Sequence, residues 1–254
     1  MKPECPEKVQ VVIIGSGIIG AVIAFYLTRK GISDVLVLEQ GEIGSQGATI
    51  ACLGGLRTQF STAVNIRFSL ISRKVYQRFK EEFGVDPGFK PYGYLFLATT
   101  PKQWKIFQNT SRLMKVLDVP VESLSPQEVS RRWPFIRVDD LSGGSYTKED
   151  GFYSPIEILQ TYVKKPRQGG TVFMEKVEVT GISIKNNRVV CLQTKDGHKI
   201  IEIEAPAIVV KKIDDPSEHI AVKISEEGGK RKAVVVTPRV HVEQHPDVLV
   251  EVKE

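Results

Sequence analysis

A glycine-rich turn constrains this chain more than any other feature: Gly15-Ser16-Gly17-Ile18-Ile19-Gly20 follows the largely apolar, β-branched run Val9–Ile14 and opens a segment of helical spacing. Three glycines alone make an ordinary turn; their surroundings give them force. The run before them suits a strand buried on both faces of a parallel sheet. After them Ile19, Val22, Ile23, Tyr26 and Leu27 recur at helical spacing, and Gly31 supplies the stop. Residues 34–39 then read as a second strand that ends on Glu39, nineteen positions after Gly20. The whole is a βαβ unit. In it Gly15 permits the sharp turn, Gly17 lets a pyrophosphate approach the backbone, and Gly20 allows the helix to pack closely on the strand. The free N–H groups of a helix start favour phosphate charge by about 0.3–1 kcal/mol from the dipole alone. Glu39 is placed to accept from both ribose hydroxyls, and an acid there repels the 2′-phosphate of NADP. A dinucleotide is therefore the expected ligand. Spacing does not choose between NAD and FAD.

Composition narrows the class. With 254 residues, 41% hydrophobic and 26% charged, the chain has material for one or two domains with a real core, which excludes a disordered tail, a fibre or a disulfide mini-protein. No apolar run approaches the roughly 20 residues that cross a bilayer, and the opening residues are too polar for a signal-peptide core, so a cytoplasmic protein without a membrane span is expected. Cys5, Cys52 and Cys191 are scattered and lack C-x-x-C spacing, and His198, His219, His241 and His245 lack metal spacing. Neither a disulfide framework nor a metal site is indicated. The net charge of +5 is dispersed in short basic pairs with acids nearby, which argues against nucleic acid.

Other elements are legible from their ends. Val64, Phe68, Ile71, Val75, Phe79 and Phe83 form a stripe on one helix closed by Gly84. Ser125-Pro126-Gln127-Glu128 and Ser154-Pro155-Ile156-Glu157 fit capping boxes with proline at the first helical position. Residues 92–99 read as a strand, and Trp104, Phe107, Met114 and Leu117 as the inner face of a helix after Pro101. From about residue 171 the period changes to β, predicting a meander with turns at Asn186-Asn187 and Asp196-Gly197, and then a strand at 207–210. Alternating runs at 221–225, 233–242 and 248–252 close the chain.

The residues after Glu39-Gln40 bear on the ligand. Gly44-Ser45-Gln46-Gly47-Ala48-Thr49 is a small, polar loop fit to run along an extended ligand, and Gly54-Gly55 would bring backbone to a ring system. Arg57, just beyond, offers a fixed cation for a carboxylate. In order, the glycine turn, Leu38-Glu39-Gln40, Gly44-Ser45, Gly54 to Phe60, Gly93 to Ala98 and Asp150 to Pro155 resemble the FAD-dependent amino-acid and amine oxidoreductases of the D-amino acid oxidase superfamily. The branch resembled is that of glycine and sarcosine oxidases and archaeal proline dehydrogenase flavin subunits.

That resemblance implies an α/β fold: a Rossmann-like FAD-binding domain, a parallel sheet with a β-meander, over 8–60 and 145–212, and a partial mixed-sheet substrate or cap domain over 61–144 and 213–254. It implies that Gly15, Ser16, Gly17, Ile18, Ile19 and Gly20 take the FAD pyrophosphate, and Glu39 with Gln40 the adenosine ribose. Ser45, Gly47, Ala48 and Thr49 would line the diphosphate and ribityl chain, Gly54 and Gly55 the isoalloxazine, and Val179 would meet adenine through its backbone. Arg57 would hold the substrate carboxylate, with Tyr94 on the substrate side. The implied reaction passes hydride from the carbon beside a neutral amine to the flavin, and the imine then hydrolyses; it needs little acid–base machinery. Relative to the family the chain reads as C-terminally truncated, with Lys211-Lys212 where a small-residue turn is expected. Two alternatives accompany this reading: a catalytically incomplete FAD-binding relative, or one completed by a second subunit or a second copy, and an NAD-dependent dehydrogenase.

Overall fold

The computed structural model describes residues 6, 8–185, 188–196, 199–203, 207–210, 221–227 and 230–236. The turn at Asn186-Asn187, Gly197, all four histidines, Lys211-Lys212 and the run at 248–252 lie outside the described residues. The chain forms two compact units, Met1–Ala51 with Ile158–Glu254, and Cys52–Glu157. Residues 52–60 and 145–157, grouped above with the nucleotide-binding domain, fall in the second unit, while 221–227 and 230–236, the described part of 213–254, fall in the first.

The first unit opens with β1 (Val11–Ile14), α1 (Ile18–Arg29), β2 (Val35–Glu39) and the short α2 (Ala48–Ala51). In α1 the buried residues are Gly20, Ala21, Ala24 and Phe25, whereas Tyr26 of the expected stripe is exposed. The larger apolar face yields to the small one because a helix that starts on a strand-end turn must lie close to the sheet. A Cβ at Gly20 would run into the carbonyl oxygen of Gly15.

In the second unit β3 (Gly55–Leu56) is followed by α3 (Ala63–Gln77), α4 (Phe79–Phe83), β4 (Tyr94–Ala98), α5 (Pro101–Val116), β5 (Val121–Leu124), α6 (Pro126–Arg132), β6 (Gly143–Thr147) and β7 (Gly151–Phe152). The single long helix expected over 64–83 is two helices, broken at Arg78 and ended by Gly84 in the left-handed region. Its stripe does not face one core. Phe79 and Phe83 of α4 are buried, but Phe68 of α3 is 64% exposed, with Val64 and Ile71 beside it also exposed. The inner face of α3 is Ile66 and Leu70, packed with Met114, Val119 and Val121. Strands β4, β6 and β5 form an antiparallel sheet with β6 central, and β3 pairs with β7. The capping box at Ser125/Glu128 forms as expected; one that the sequence reading missed, Thr100/Gln103, opens α5. Glu128 accepts from both the Ser125 amide and hydroxyl, which holds its carboxyl below the usual range.

The chain returns to the first unit along α7 (Pro155–Gln168), then β8 (Val172–Glu175), the meander β9 (Val177–Lys185), β10 (Arg188–Asp196) and β11 (Lys199–Ile203), then β12 (Ala207–Val210), β13 (Ala221–Glu227) and β14 (Lys230–Val236). The main sheet has the order β13-β14-β12-β1-β2-β8. β8, read from sequence as the start of the meander, instead pairs in parallel with β2. Likewise β14 joins β12 in parallel, so β13 and β14 extend this sheet and not that of the second unit. The register Val11↔Val35 on one side and Val11↔Ala207 on the other leaves β1 central. From β1 the chain order runs one way to β2 and β8 and the other way to β12, which makes the carboxyl end of β1 a topological switch point, the place where such sheets bind ligands.

Candidate cofactor and substrate site

The glycine turn sits at that switch point. Gly15 takes φ +94° and donates its N–H to Leu38 O at 2.8 Å, which ties the turn to the end of β2. Gly17 is the N-cap of α1 in extended conformation and brings no side chain of its own to cap the helix. The buried Ser16 donates both N–H and Oγ–H to Glu39 Oε2, each at 2.9 Å, and the Gly41 amide donates to Glu39 Oε1 at 3.1 Å. Glu39 therefore turns back over the turn. The Ile18 amide donates to Thr49 Oγ1 at 3.0 Å, so a hydroxyl from thirty-one residues on stands at the helix start. The first-turn amides that follow have no intrahelical carbonyl to bind, and the dipole makes the spot favourable to an anion.

The loop between Glu39 and Thr49 is held by the corner after β8. The Ile43 amide donates to Glu175 Oε1 at 2.6 Å, the Lys176 amide donates to Gly41 O, and Lys176 Nζ pairs with Glu42 at 2.7 Å. That pairing lowers the Glu42 carboxyl and raises the Lys176 ammonium. Ser45 spends its hydroxyl on Glu42 O within the same loop, and Gly47, at φ +88°, accepts from the Ile50 and Ala51 amides to start α2. Gln40, Ser45, Gly47 and Ala48 are exposed. Val179 lies on β9, half-buried against the core of Leu36, Leu38 and Met174.

In the second unit a cleft of about 540 Å³ is lined by Arg57, Phe60, Tyr76, Tyr94, Phe152 and Tyr153, with Leu53 and Gly55 at its edge. Gly54 is buried at φ +72°, where a Cβ would meet the Tyr153 carbonyl, so glycine is required there. The Arg57 guanidinium lies over Phe60 at 4.7 Å and over Phe96 at 5.4 Å from the ring centroids. No carboxylate pairs with it among the described residues. Tyr94 stacks on Phe152 with centroids 6.0 Å apart. Tyr153 packs on Tyr76; burial pushes its phenol up and the Tyr76 hydrogen bond opposes that.

Behind this cleft stands a polar cluster whose roles the sequence reading left open. Asp150 is wholly buried, and Thr58 donates its N–H to Oδ2 and its hydroxyl to Oδ1, both at 2.8 Å. Arg73 from α3 reaches Asp150 Oδ1 at 3.7 Å and Glu149 at 2.9 Å. Burial raises the Asp150 carboxyl, while the Thr58 hydrogen bonds and the Arg73 charge act against it. Gln59 donates to Tyr94 O at 2.8 Å and accepts from the Ser145 hydroxyl at 2.6 Å. A polar residue flanked by glycine, as Asp150-Gly151 is, gave only a motif; its partner lies 92 positions away.

The glycine turn, Glu39 and Thr49 thus come together in one unit, and Gly54, Gly55, Arg57 and Tyr94 in the other. A family model described as DAO, FAD dependent oxidoreductase, matches residues 10–210. The chain belongs to that family. Among curated relatives of the DAO chain, it is 30% identical over 192 residues to the mitochondrial pyruvate dehydrogenase phosphatase regulatory subunit of Mus musculus, with 76% of this chain and 22% of the relative covered. It is 28% identical over 210 residues to the mitochondrial sarcosine dehydrogenase of Mus musculus, covering 80% of this chain and 22% of that one. The solved L-proline dehydrogenase from P. horikoshii superposes with a TM-score of 0.73 at 28% identity, covering 87% of this chain and 59% of that one. The chain therefore spans about a fifth of the length of these two curated relatives.

Family membership decides the cofactor class: DAO proteins depend on FAD, and the NAD-dependent alternative falls away. The residues present fit that group. A turn with glycine at positive φ, a helix start whose N-cap is glycine, a hydroxyl on its first amide and a carboxylate at the end of β2 are the donor and acceptor set that a dinucleotide requires. No helix among the described residues is long and apolar enough to cross a membrane, and no group of metal-ligating residues occurs among them.

Proposed function

We propose that this DAO chain oxidises the C–N bond of a small amino acid or secondary amine, with Arg57 anchoring the substrate carboxylate. The observation that carries the proposal is the guanidinium itself: half-buried in an aromatic cleft, supported by two ring faces, and without a carboxylate of its own among the described residues. A planar cation so placed matches a carboxylate through two parallel hydrogen bonds. Bound FAD would supply the two-electron acceptor. The protein's share is to bind and orient. The glycine turn and Thr49 would hold the pyrophosphate, Glu39 the ribose, and Tyr94 would form a wall of the substrate cleft. The likeness to a sarcosine dehydrogenase and an L-proline dehydrogenase supports an amine substrate.

The test is an absorption spectrum of the purified protein followed by anaerobic addition of sarcosine or proline. Bleaching of the flavin bands is the expected result, and a flavin band that neither substrate bleaches counts against the proposal. Arg57→Ala is expected to raise KM about tenfold or more, in keeping with about 1.5–3 kcal/mol for a hydrogen bond to a charged group, while flavin content stays unchanged. Loss of flavin in that variant would move Arg57 out of the substrate role.

A second reading, in which another subunit or copy completes the site, is favoured by one observation. Val64, Phe68 and Ile71 are exposed on α3, the helix that lends Tyr76 to the cleft, and Leu53 at the cleft edge is 89% exposed. Apolar surface in such a cluster marks a contact site. Size-exclusion chromatography with and without flavin tests it: a monomer that turns over substrate removes the need for a partner.

A further inference from the structure

We propose that Asp150 is a positioning residue for Arg57: its buried carboxylate locks the Arg57–Thr58 peptide so that the guanidinium is presented to the cleft from a fixed backbone. The inference rests on the reading of Arg57 as a carboxylate anchor and adds the device that aims it. Among the described residues the Arg57 side chain is held by ring faces alone, yet its neighbours are pinned on both sides. On the N-terminal side Leu56 pairs with Gly151 across β3 and β7. On the C-terminal side Thr58 gives both of its donors to Asp150, and the Gln59 amide group is fixed by Tyr94 O and Ser145. The pins share one origin, since β6 carries Ser145 and leads through Asp150 into β7. β6 also pairs with the strand that carries Phe96, Phe96↔Ser145, so the strand bearing the ring under the guanidinium is hydrogen-bonded to the strand that leads to the acid.

A turn needs no charge to hold it, because a neutral acceptor can take an amide. A wholly buried carboxylate is an expensive choice unless paired. Here the pairing is partial: Arg73 is 3.7 Å away, and its Nη1 is buried with no hydrogen-bond partner among the described residues. The carboxylate accepts the Thr58 N–H and Oγ–H together, the hydroxyl lying 2.8 Å from Oδ1 and 3.1 Å from Oδ2, and its charge strengthens both bonds, which fixes the peptide plane and the Thr58 rotamer at once. A guanidinium offered bidentately to a carboxylate is sensitive to that plane, since a small misplacement of an orienting group weakens the productive geometry.

The experiment uses the full chain labelled with 15N-arginine, the Arg57 Nε–H resonance being assigned by its loss in Arg57→Lys. Three variants are compared: Asp150→Asn, Thr58→Val, which keeps the shape and removes only the hydroxyl donor, and Thr58→Ser, which restores it. Benzoate is the carboxylate probe and benzamide its neutral counterpart, both followed by calorimetry. In Asp150→Asn and Thr58→Val the Arg57 resonance is expected to move toward the position of unstructured arginine. Benzoate affinity should fall about five- to tenfold, the size of one hydrogen bond, with benzamide affinity unchanged. Thr58→Ser should restore both readouts. An unchanged Arg57 resonance in a folded Thr58→Val protein overturns the positioning role, even if Asp150→Asn fails to fold. If the resonance responds but Arg57→Ala binds benzoate as tightly as the parent, the positioning role stands and the carboxylate-anchor reading falls.

Discussion

In each unit a carboxylate takes both donors of a hydroxyl residue that lies far away along the chain. At the glycine turn Glu39 accepts the N–H and Oγ–H of Ser16; behind the cleft Asp150 accepts the N–H and Oγ–H of Thr58. The surroundings separate them. Glu39 ends a strand at a sheet's switch point, half-buried, with a second oxygen that reaches only the Gly41 amide. Such a carboxylate keeps lone pairs for further donors. Asp150 is sealed from solvent, its second oxygen is also on Thr58, and a cation from α3 accompanies it. On the reading proposed above, one acid meets a ligand and the other holds the backbone that meets one. Burial decides which role a carboxylate bound to a hydroxyl residue can play.

Three perturbations sharpen that contrast. Arg73→Met leaves Asp150 buried without its cation, and breaking a buried pair from one side typically costs about 3–5 kcal/mol. A large fall in urea midpoint is expected, partly recovered by adding Asp150→Asn. A loss below about 1 kcal/mol would place the pair among weakly coupled surface bridges and erase the distinction from Glu39.

Glu39→Ala should leave the fold in place while weakening FAD retention by about 1.5–3 kcal/mol, the worth of hydrogen bonds to a charged acceptor. Flavin absorbance after exhaustive dialysis reads this directly. Retention equal to the parent would make Glu39 another backbone clamp, the same in kind as Asp150.

The smallest effect is on pH. Burial raises the Asp150 carboxyl, so the folded chain holds that proton more tightly than the unfolded one. Stability linked to this group is then highest below the ordinary aspartate value, near 4 as an approximate reference, and declines as pH rises toward the raised one. Asp150→Asn should flatten that part of the urea-midpoint profile. At Glu128 the sign is opposite, because the Ser125 hydrogen bonds lower its carboxyl and the contribution fades as pH falls.

Much of the first unit was legible because its signals are local. A strand, a glycine turn, a helix and an acid stand within about thirty consecutive residues, and each enforces the next through backbone geometry. The Ser125 capping box belongs to the same class. Errors arose where packing competes with periodicity. The apolar stripe on α1 lost to Gly20, Ala21 and Ala24, because small residues let the helix approach the sheet; the stripe from Val64 to Phe83 was divided between two helices with different inner faces. β8 carries no mark of whether its neighbour is parallel or antiparallel, and only the chain's return to β2 decided it.

The sequence by itself determined the glycine turn between strand and helix, the acid that ends the next strand and the presence of a cation at Arg57, since short-range geometry and residue chemistry suffice for those. Tertiary structure alone decided that Asp150 faces Thr58, that Arg73 enters the core beside it, and that Phe96 lies under the guanidinium. Those contacts join residues far apart along the chain, and a pattern of types and spacings holds no term for which distant side chains will share a dry interior.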